Sequence, residues 1–250
     1  MKKIVSIILI IVFYSCNSEN APDCFQNAGF IIEKEFDVDS FTKITVFPRV
    51  ELIIIDGPTQ KVTLQTGEYL VSDIAVNVED GRLKIYNNNA CNFTRDYGIT
   101  KVFVTSPNLT EIRNASQITV RSQSVLTYDS LSLFSEDFNQ EGEINTNGNF
   151  ELEVDSGALS VFVNNLSSVF ISGQVDDLVL DYFSGDARFE GRNLIAQNVD
   201  IFQRSSNDMI INVQQSLTGE IRSTGDVIIV NTPLLIEVEQ FYTGKLIFEN

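Results

Sequence analysis

The 250-residue chain contains no histidine and no tryptophan, and only three cysteines. Without histidine, a serine or cysteine hydrolase of the usual kind has no general base, and no Ser-Lys pattern offers a substitute. Cysteines with no imidazole beside them also make a poor zinc site. Without tryptophan, the chain lacks the ring that many glycan-binding clefts use as a stacking platform. Basic residues are scarce: 17 Lys and Arg face 34 Asp and Glu, a formal charge of −17. A surface this acidic repels nucleic acid and anionic lipid and excludes both as partners, while leaving room for a cationic partner or a bound divalent cation. The commoner use of such charge is to keep a strand-rich surface soluble. Long apolar runs are missing too. The most apolar one, Ile4 to Tyr14, falls well short of the roughly 20 residues that a spanning helix needs. No amphipathic helix stands out anywhere.

That short run follows Lys2 and Lys3 and ends at Ser15-Cys16. A positive start, an apolar middle and a small residue directly before a cysteine are the marks of a lipoprotein signal peptide, cleaved ahead of a thiol that carries diacylglycerol. Residues 1–15 are read as that signal, Cys16 as the lipidation site, and 16–29 as a polar tether holding Pro22 and Gly29. Phe13 stands where leucine is usual, and the competing reading is an ordinary signal with a chance cysteine. Acyl chains contribute about 0.8 kcal/mol per buried CH2, enough in number to hold a protein on a membrane without a spanning helix. The expected location is the cell envelope, at the outer membrane; Asn17-Ser18-Glu19 does not assign the periplasmic or the outward-facing side. Exported chains meet conditions that permit disulfides, and once Cys16 is acylated, Cys24 and Cys91 are the one pair left to bridge.

From Phe30 onward strand signals dominate. Apolar residues alternate with polar ones in Ile44 and Val46, Val62 and Leu64, Leu83 and Ile85, and Val102 and Val104, with turns at Asp56-Gly57-Pro58, Glu79-Asp80-Gly81 and Ser106-Pro107-Asn108. The second half repeats. A small or turn-forming residue, often followed by an acid, recurs at Ser116, Gly142, Ser167, Gly185, Asn207, Gly225 and Gly244, at intervals of solenoid-rung length. Two positions later stand Ile118, Ile144, Val169, Ala187, Met209, Val227 and Leu246; four positions later stand Val120, Thr146, Ile171, Phe189, Ile211, Ile229 and Phe248. Nearly all are apolar, so each rung sends the same two side chains inward. The expected fold is all-β, a parallel β-solenoid or β-helix over 30–250, with 30–112 as a strand-rich region able to pack as a second lobe and 113–250 as the repeated rungs. An immunoglobulin-like sandwich is the competing architecture.

The stretches Phe41-Thr-Lys-Ile-Thr-Val46, Val50-Glu-Leu-Ile-Ile-Ile-Asp-Gly57, Val76-Asn-Val-Glu-Asp-Gly-Arg-Leu-Lys-Ile85, Val102-Phe-Val-Thr-Ser-Pro-Asn-Leu109 and Thr243-Gly-Lys-Leu-Ile247 resemble the head GIN domain family of auto-transporter adhesins, frequent among small lipoproteins of Gram-negative bacteria. The resemblance covers the chain from about Phe30 to its end. It implies a β-helix-like fold on the envelope and no reaction, because the family brings no established catalytic residues and a fold does not determine a function. Asp23-Cys24-Phe25 and Asn87-Asn-Asn-Ala-Cys91-Asn92 also look like a subgroup of that family, which supports the Cys24–Cys91 pairing. Ser167 and Asn207 stand where the family frequently has glycine, leaving local turn geometry open there.

Two sets of residues are candidate sites. Asp176, Asp177, Asp181 and Asp186 lie close in sequence and are the acids able to bind Ca2+ or to act on a glycan. The competing role, bonding to nearby backbone amides in turns, is the stronger. No other cofactor is implied. Three residues after each anchor, the outward row reads Thr119, Asn145, Phe170, Arg188, Ile210, Ile228 and Ile247. Isolated domains seldom leave three isoleucines in line exposed to water, so Ile210, Ile228 and Ile247 form a candidate contact surface, covered by a fold-back of the first sheet region or by a second copy. Tyr182, Phe183, Phe202, Phe241 and Tyr242 are expected to stack mainly inside the core. The function expected is a non-catalytic binding or adhesion-type module for a glycan, an envelope protein or a cell surface. The alternative is a carbohydrate-active β-helix enzyme acting on an acidic polysaccharide, which would need Lys and Arg gathered beside paired acids.

Overall fold

The computed structural model describes residues 23–93, 95–138 and 145–249; Cys16, the signal segment, the Gly142 anchor and Ile144 lie outside the described residues. The described chain is all-β, as the alternation predicts, apart from two short 3-10 turns at Asp23–Phe25 and Glu68–Asp73. The first half holds β1 (Ile31–Phe36), β2 (Lys43–Val46), β3 (Glu51–Asp56), β4 (Lys61–Gly67), β5 (Ile74–Glu79), β6 (Arg82–Asn87), β7 (Lys101–Ser106), β8 (Glu111–Asn114) and β9 (Val120–Ser122). The second half adds β10 (Ser130–Ser135) and four long strands, β11 (Phe150–Asn165), β12 (Val169–Gly185), β13 (Phe189–Gln203) and β14 (Met209–Ile221). It closes with β15 (Val227–Ile229), β16 (Leu235–Gln240) and β17 (Leu246–Phe248).

All of these strands join one sheet, and it is mixed rather than wholly parallel. The antiparallel pairs are β1–β4, β4–β7 and β5–β6, all at the N-terminal end. Turn chemistry dictates one of them. Asp80 and Gly81 link β5 to β6 with φ of 51° and 71°, and a two-residue turn with both φ positive reverses the strand directly. The remaining pairs are parallel and fall into two rows. One row runs β5, β6, β2, β8, β10, the second halves of β11 to β14, and β16. The other runs β1, β4, β7, β3, β9, the first halves of β11 to β14, β15 and β17.

The core lies between the rows. Val120, Phe150, Val169, Phe189, Met209 and Val227 are mutually in register and buried. Facing the same core, Leu83, Ile44, Ile112, Leu133, Val161, Leu180 and Ile201 form a second buried column. Each such side chain contributes about 1.5–3 kcal/mol by leaving water. The register corrects the sequence alignment by an even number of residues at several rungs: Val120, Phe150 and Phe189, not Ile118, Ile144 and Ala187, hold the position of Val169 and Met209. Because side chains alternate, an even shift leaves every side chain on its proper face. Val169, Phe189, Ile211, Val227 and Ile229 are accordingly buried, as expected. Ile118 is only half-buried, since the inward position of its rung is taken by Val120.

The acids of the turns have a structural use. Asp208 Oδ1 accepts the backbone N–H of Asp226 at 3.1 Å, and Asp226 Oδ1 accepts that of Lys245 at 2.8 Å. Asn149 Oδ1 does the same for Ser168 at 2.9 Å. Each side chain thus satisfies an amide one rung further on, which accounts for the recurrence of a short acid or amide in the repeat. Ser167 and Asn207 do not need glycine's freedom. The left-handed positions are Asn165 (φ 102°) and Gly185 (φ 89°), which are in register with one another.

The strand-rich N-terminal region does not fold back over Ile210, Ile228 and Ile247 as a second lobe. It continues both rows at the opposite end, with β2 held between β6 and β8, and β3 between β7 and β9. The first rung of the chain therefore sits between two later ones. A disulfide joins Cys24 to Cys91 with Cα atoms 4.4 Å apart. Arg95 secures the same corner: Nη1 donates to the Asp23 and Gln26 carbonyls at 2.8 and 3.0 Å, and Nη2 to the Cys91 carbonyl at 2.9 Å and to Asn89 Oδ1. Burial lowers the Arg95 pKa.

Candidate binding groove

On the solvent side of the second row, Ile53, Arg121, Glu151, Phe170, Glu190, Ile210, Ile228 and Ile247 form one outward column, one residue per strand. Neighbours along such a column are about 4.8 Å apart. Between β9 and β13 the column floors a groove of about 510 Å³, lined by Ser122, Glu151, Glu153, Phe170, Glu190 and Arg192 among others. The register shifts between β12 and β13 after Phe170, and between β13 and β14 after Glu190, both leave extra residues on β13, and such bulges bend a strand and re-aim side chains such as Arg192.

The charges in the groove are largely matched. Arg121 reaches Glu51 at 3.4 Å and pairs closely with Glu151. Glu190 is met by Arg188 at 2.8 Å and by Arg192 at 3.8 Å. Ser122 Oγ accepts the Glu153 amide at 2.9 Å. In the middle, Phe170 stands 38% exposed, with Glu151 and Glu190 on either side in register. An apolar ring framed by carboxylates and guanidinium groups suits a ligand with a flat apolar face and hydroxyls at its edge.

The sequence-derived sites fare differently. Ile210, Ile228 and Ile247 do share one face, but they grade from buried (5%) through half-buried to exposed (38%). Among the described residues no N-terminal strand pairs alongside them. Instead Arg192 on β13 pairs with Glu249, just past β17, reaching over β14 and β15. Glu190 rather than Arg188 precedes Ile210 in the column, another result of the corrected register. The four aspartates do not converge. Asp176 and Asp177 are exposed, and Asp177 accepts from Asn198 Nδ2 at 3.0 Å. Asp186 accepts from Ser206 Oγ at 2.7 Å. Asp181 lies in register between Phe162 and Phe202, where burial first and neighbouring Asp200 second raise its pKa. Among the described residues no three acids or cysteines gather to hold a metal ion.

Tyr182 stacks in the core as expected, but Phe183 and Phe202 are only half-buried, and Phe241 and Tyr242 are exposed. The ladder instead lines the outside of the first row, with Phe134 stacked on Phe162 at 4.7 Å, Phe183 6.0 Å from Phe202, and Arg222 between Phe202 and Phe241. The sequence reading missed Glu151, Glu153, Glu190 and Arg192 as a group. Strand alternation marks Glu151 and Glu190 as outward, but only the cross-strand register sets them beside Phe170.

The curated proteins offer no match. Solved structures do. One described as a putative adhesin from Bacteroides fragilis NCTC 9343 is 20% identical with a TM-score of 0.77, covering 88% of this chain and 97% of that one. A putative lipid binding protein from Parabacteroides distasonis ATCC 8503 is 16% identical with a TM-score of 0.65, covering 89% and 98%. A putative adhesin from Parabacteroides merdae ATCC 43184 is 16% identical with a TM-score of 0.55, covering 89% and 97%. At these identities the likeness is one of fold. Residues 40–233, most of the two rows described above, match the family described as putative auto-transporter adhesin, head GIN domain, and the chain belongs to that family.

Proposed function

We propose that this protein is a non-catalytic binding module of the cell envelope, held at the outer membrane by acyl chains on Cys16, that presents the groove around Phe170 to a glycan. The observation that carries this reading is the exposed Phe170 ring set between two ion-paired glutamates in a groove of about 510 Å³. The adhesin descriptions of the family and of two neighbours support it. The parallel rungs support reading the C-terminal half as a β-solenoid, a form that offers long, regular faces to extended ligands. Among the described residues no helix is long and apolar enough to cross a membrane; the lipid attachment rests on the Ser15-Cys16 motif behind the apolar run.

The test is a glycan array probed with the full chain in detergent. Phe170→Ala should lose at least tenfold in affinity for every glycan retained, while Phe241→Ala, which alters an exposed ring outside the groove, should not. Equal losses, or no glycan retained, overturn the reading. A polysaccharide lyase or hydrolase would need a basic group free to neutralise a uronate, yet Arg121, Arg188 and Arg192 are each engaged by glutamate. Release of unsaturated uronate from an acidic polysaccharide would establish that alternative. For the anchor, Cys16→Ser should move the protein from the detergent phase to the aqueous phase or leave it unprocessed; unchanged partitioning refutes it. At the open end of the column, Ile247 and neighbouring Phe248 are exposed and are the proposed contact for an envelope protein.

A further inference from the structure

A second cleft, of about 300 Å³, opens between the β2–β3 turn and the segment joining β6 to β7. Its chemistry differs from that of the groove. Arg49, in the β2–β3 turn, has φ of 70°, a left-handed conformation that costs a residue with a Cβ about 1–2 kcal/mol. Asn87 holds it there: Arg49 Nη2 donates to the Asn87 carbonyl at 2.8 Å, and Asn87 Nδ2 donates to the Arg49 carbonyl at 3.3 Å. Arg49 Nε is nevertheless buried with no hydrogen-bond partner. Among the described residues every other arginine except Arg95 and Arg204 pairs with a carboxylate within 4.0 Å, whereas Arg49 pairs with none.

An unpaired guanidinium on a strained backbone, kept where asparagine would sit more easily, points to use of the charge itself. Arg95 lines the same cleft, but its terminal nitrogens are spent on carbonyls of the disulfide corner. Of the neighbouring polar side chains, Asn87 is bonded to the Arg49 carbonyl and the Asn89 amide, Asn92 to the Arg95 main chain, and buried Thr100 to Thr66, while Gln117 is exposed. Among the described lining residues exposed Asp96 is the only acid, and Tyr97 stands at the mouth, 86% exposed. We propose that this cleft binds a carboxylate-bearing sugar, with the Arg49 guanidinium taking the carboxylate, Gln117 taking a ring hydroxyl, and Tyr97 covering a ring face. With Nε buried and Nη2 bonded to the Asn87 carbonyl, Nη1 is left to make a charge-assisted hydrogen bond to the carboxylate. Cleft volume is at the lower end of the roughly 300–1,000 Å³ usual for small-ligand pockets, which suits one or two sugar rings. The protein's overall negative charge does not forbid an anion here, because repulsion between exposed charges is screened beyond about 8 Å in physiological salt. This site is separate from the groove and does not rest on the groove's assignment.

The experiment titrates trigalacturonate and, as neutral control, galactotriose into the full chain, followed by calorimetry. Arg49→Asn is the variant of choice, since asparagine tolerates positive φ and removes the guanidinium without disturbing the turn; its unchanged melting temperature certifies the fold. Trigalacturonate should bind at least tenfold more tightly than galactotriose, and Arg49→Asn should erase that difference while Phe170→Ala leaves it intact. No binding of trigalacturonate at millimolar concentration overturns the proposal, as does binding unaffected by Arg49→Asn. Tighter binding of an acidic peptide than of trigalacturonate also overturns the sugar assignment.

Discussion

Removing the Cys24–Cys91 disulfide, in a Cys24→Ala/Cys91→Ala double variant, perturbs a closed segment with an unusual content. The bridge spans a sequence separation of 67, and the enclosed chain includes β2 and β3, the strands held between later rungs. A cross-link of this span removes loop entropy from the unfolded chain worth about 4 kcal/mol at 25 °C. Native contacts are not the source of that term, and the Arg95 bonds to Asp23, Gln26 and Cys91 use main-chain carbonyls that the double variant retains. The expected loss is therefore about 2–4 kcal/mol, the lower value applying if the unfolded chain stays compact. Because the protein has no tryptophan, far-ultraviolet circular dichroism is the probe, in a guanidinium titration without reductant. With a slope of about 5 kcal/mol/M the midpoint should fall by about 0.4–0.8 M. A midpoint within about 0.1 M of wild type would refute the reasoning, showing that the enclosed rungs are ordered by pairing alone.

Other substitutions test other parts of the account. Ile229→Asp places a carboxylate at a position 1% exposed, in register with Ile211 and Phe248; it should cost more than about 4 kcal/mol in a denaturant titration, and a loss under about 1 kcal/mol would mean that the column is not core. Gly219 has φ of 120°, and a Cβ there would lie 2.0 Å from the Ile201 carbonyl oxygen. Gly219→Ala should therefore lower stability by about 2–4 kcal/mol, whereas a neutral result would deny the close approach of β13 and β14. Burial, with Asp200 second, raises the pKa of Asp181, so folding disfavours its ionised form. The stability of wild type relative to Asp181→Asn should be greatest below about pH 4, where the carboxyl is protonated in both states, and should fall as pH rises. Thermal melts of both proteins across about pH 3.5–8 that stay parallel would contradict this.

Much of the molecule was legible from the sequence by simple rules. Alternation in Val102 and Val104, or in Met209 and Ile211, needs only the two-residue period of a strand, and the Asp80-Gly81 turn needs only that few residues accept positive φ. The inward columns survived even a misplaced anchor, because an error of two residues does not change a side chain's face. With Cys16 read as the acylation site, Cys24 and Cys91 were the pair left to bridge. The sequence alone thus determined the strand class, the repeat, the bridge and the inward or outward sense of most residues. It could not determine which strands lie beside one another. That β2 and β3 enter between later rungs, that Glu151, Phe170 and Glu190 line up into a groove, that Phe183 and Phe202 face outward, and that Arg49 meets Asn87 across the turn were decided by tertiary structure. Side-chain sense is set within a strand, by local covalent geometry. Neighbourhood is set by hydrogen-bond register between segments far apart in the chain, which no local pattern encodes.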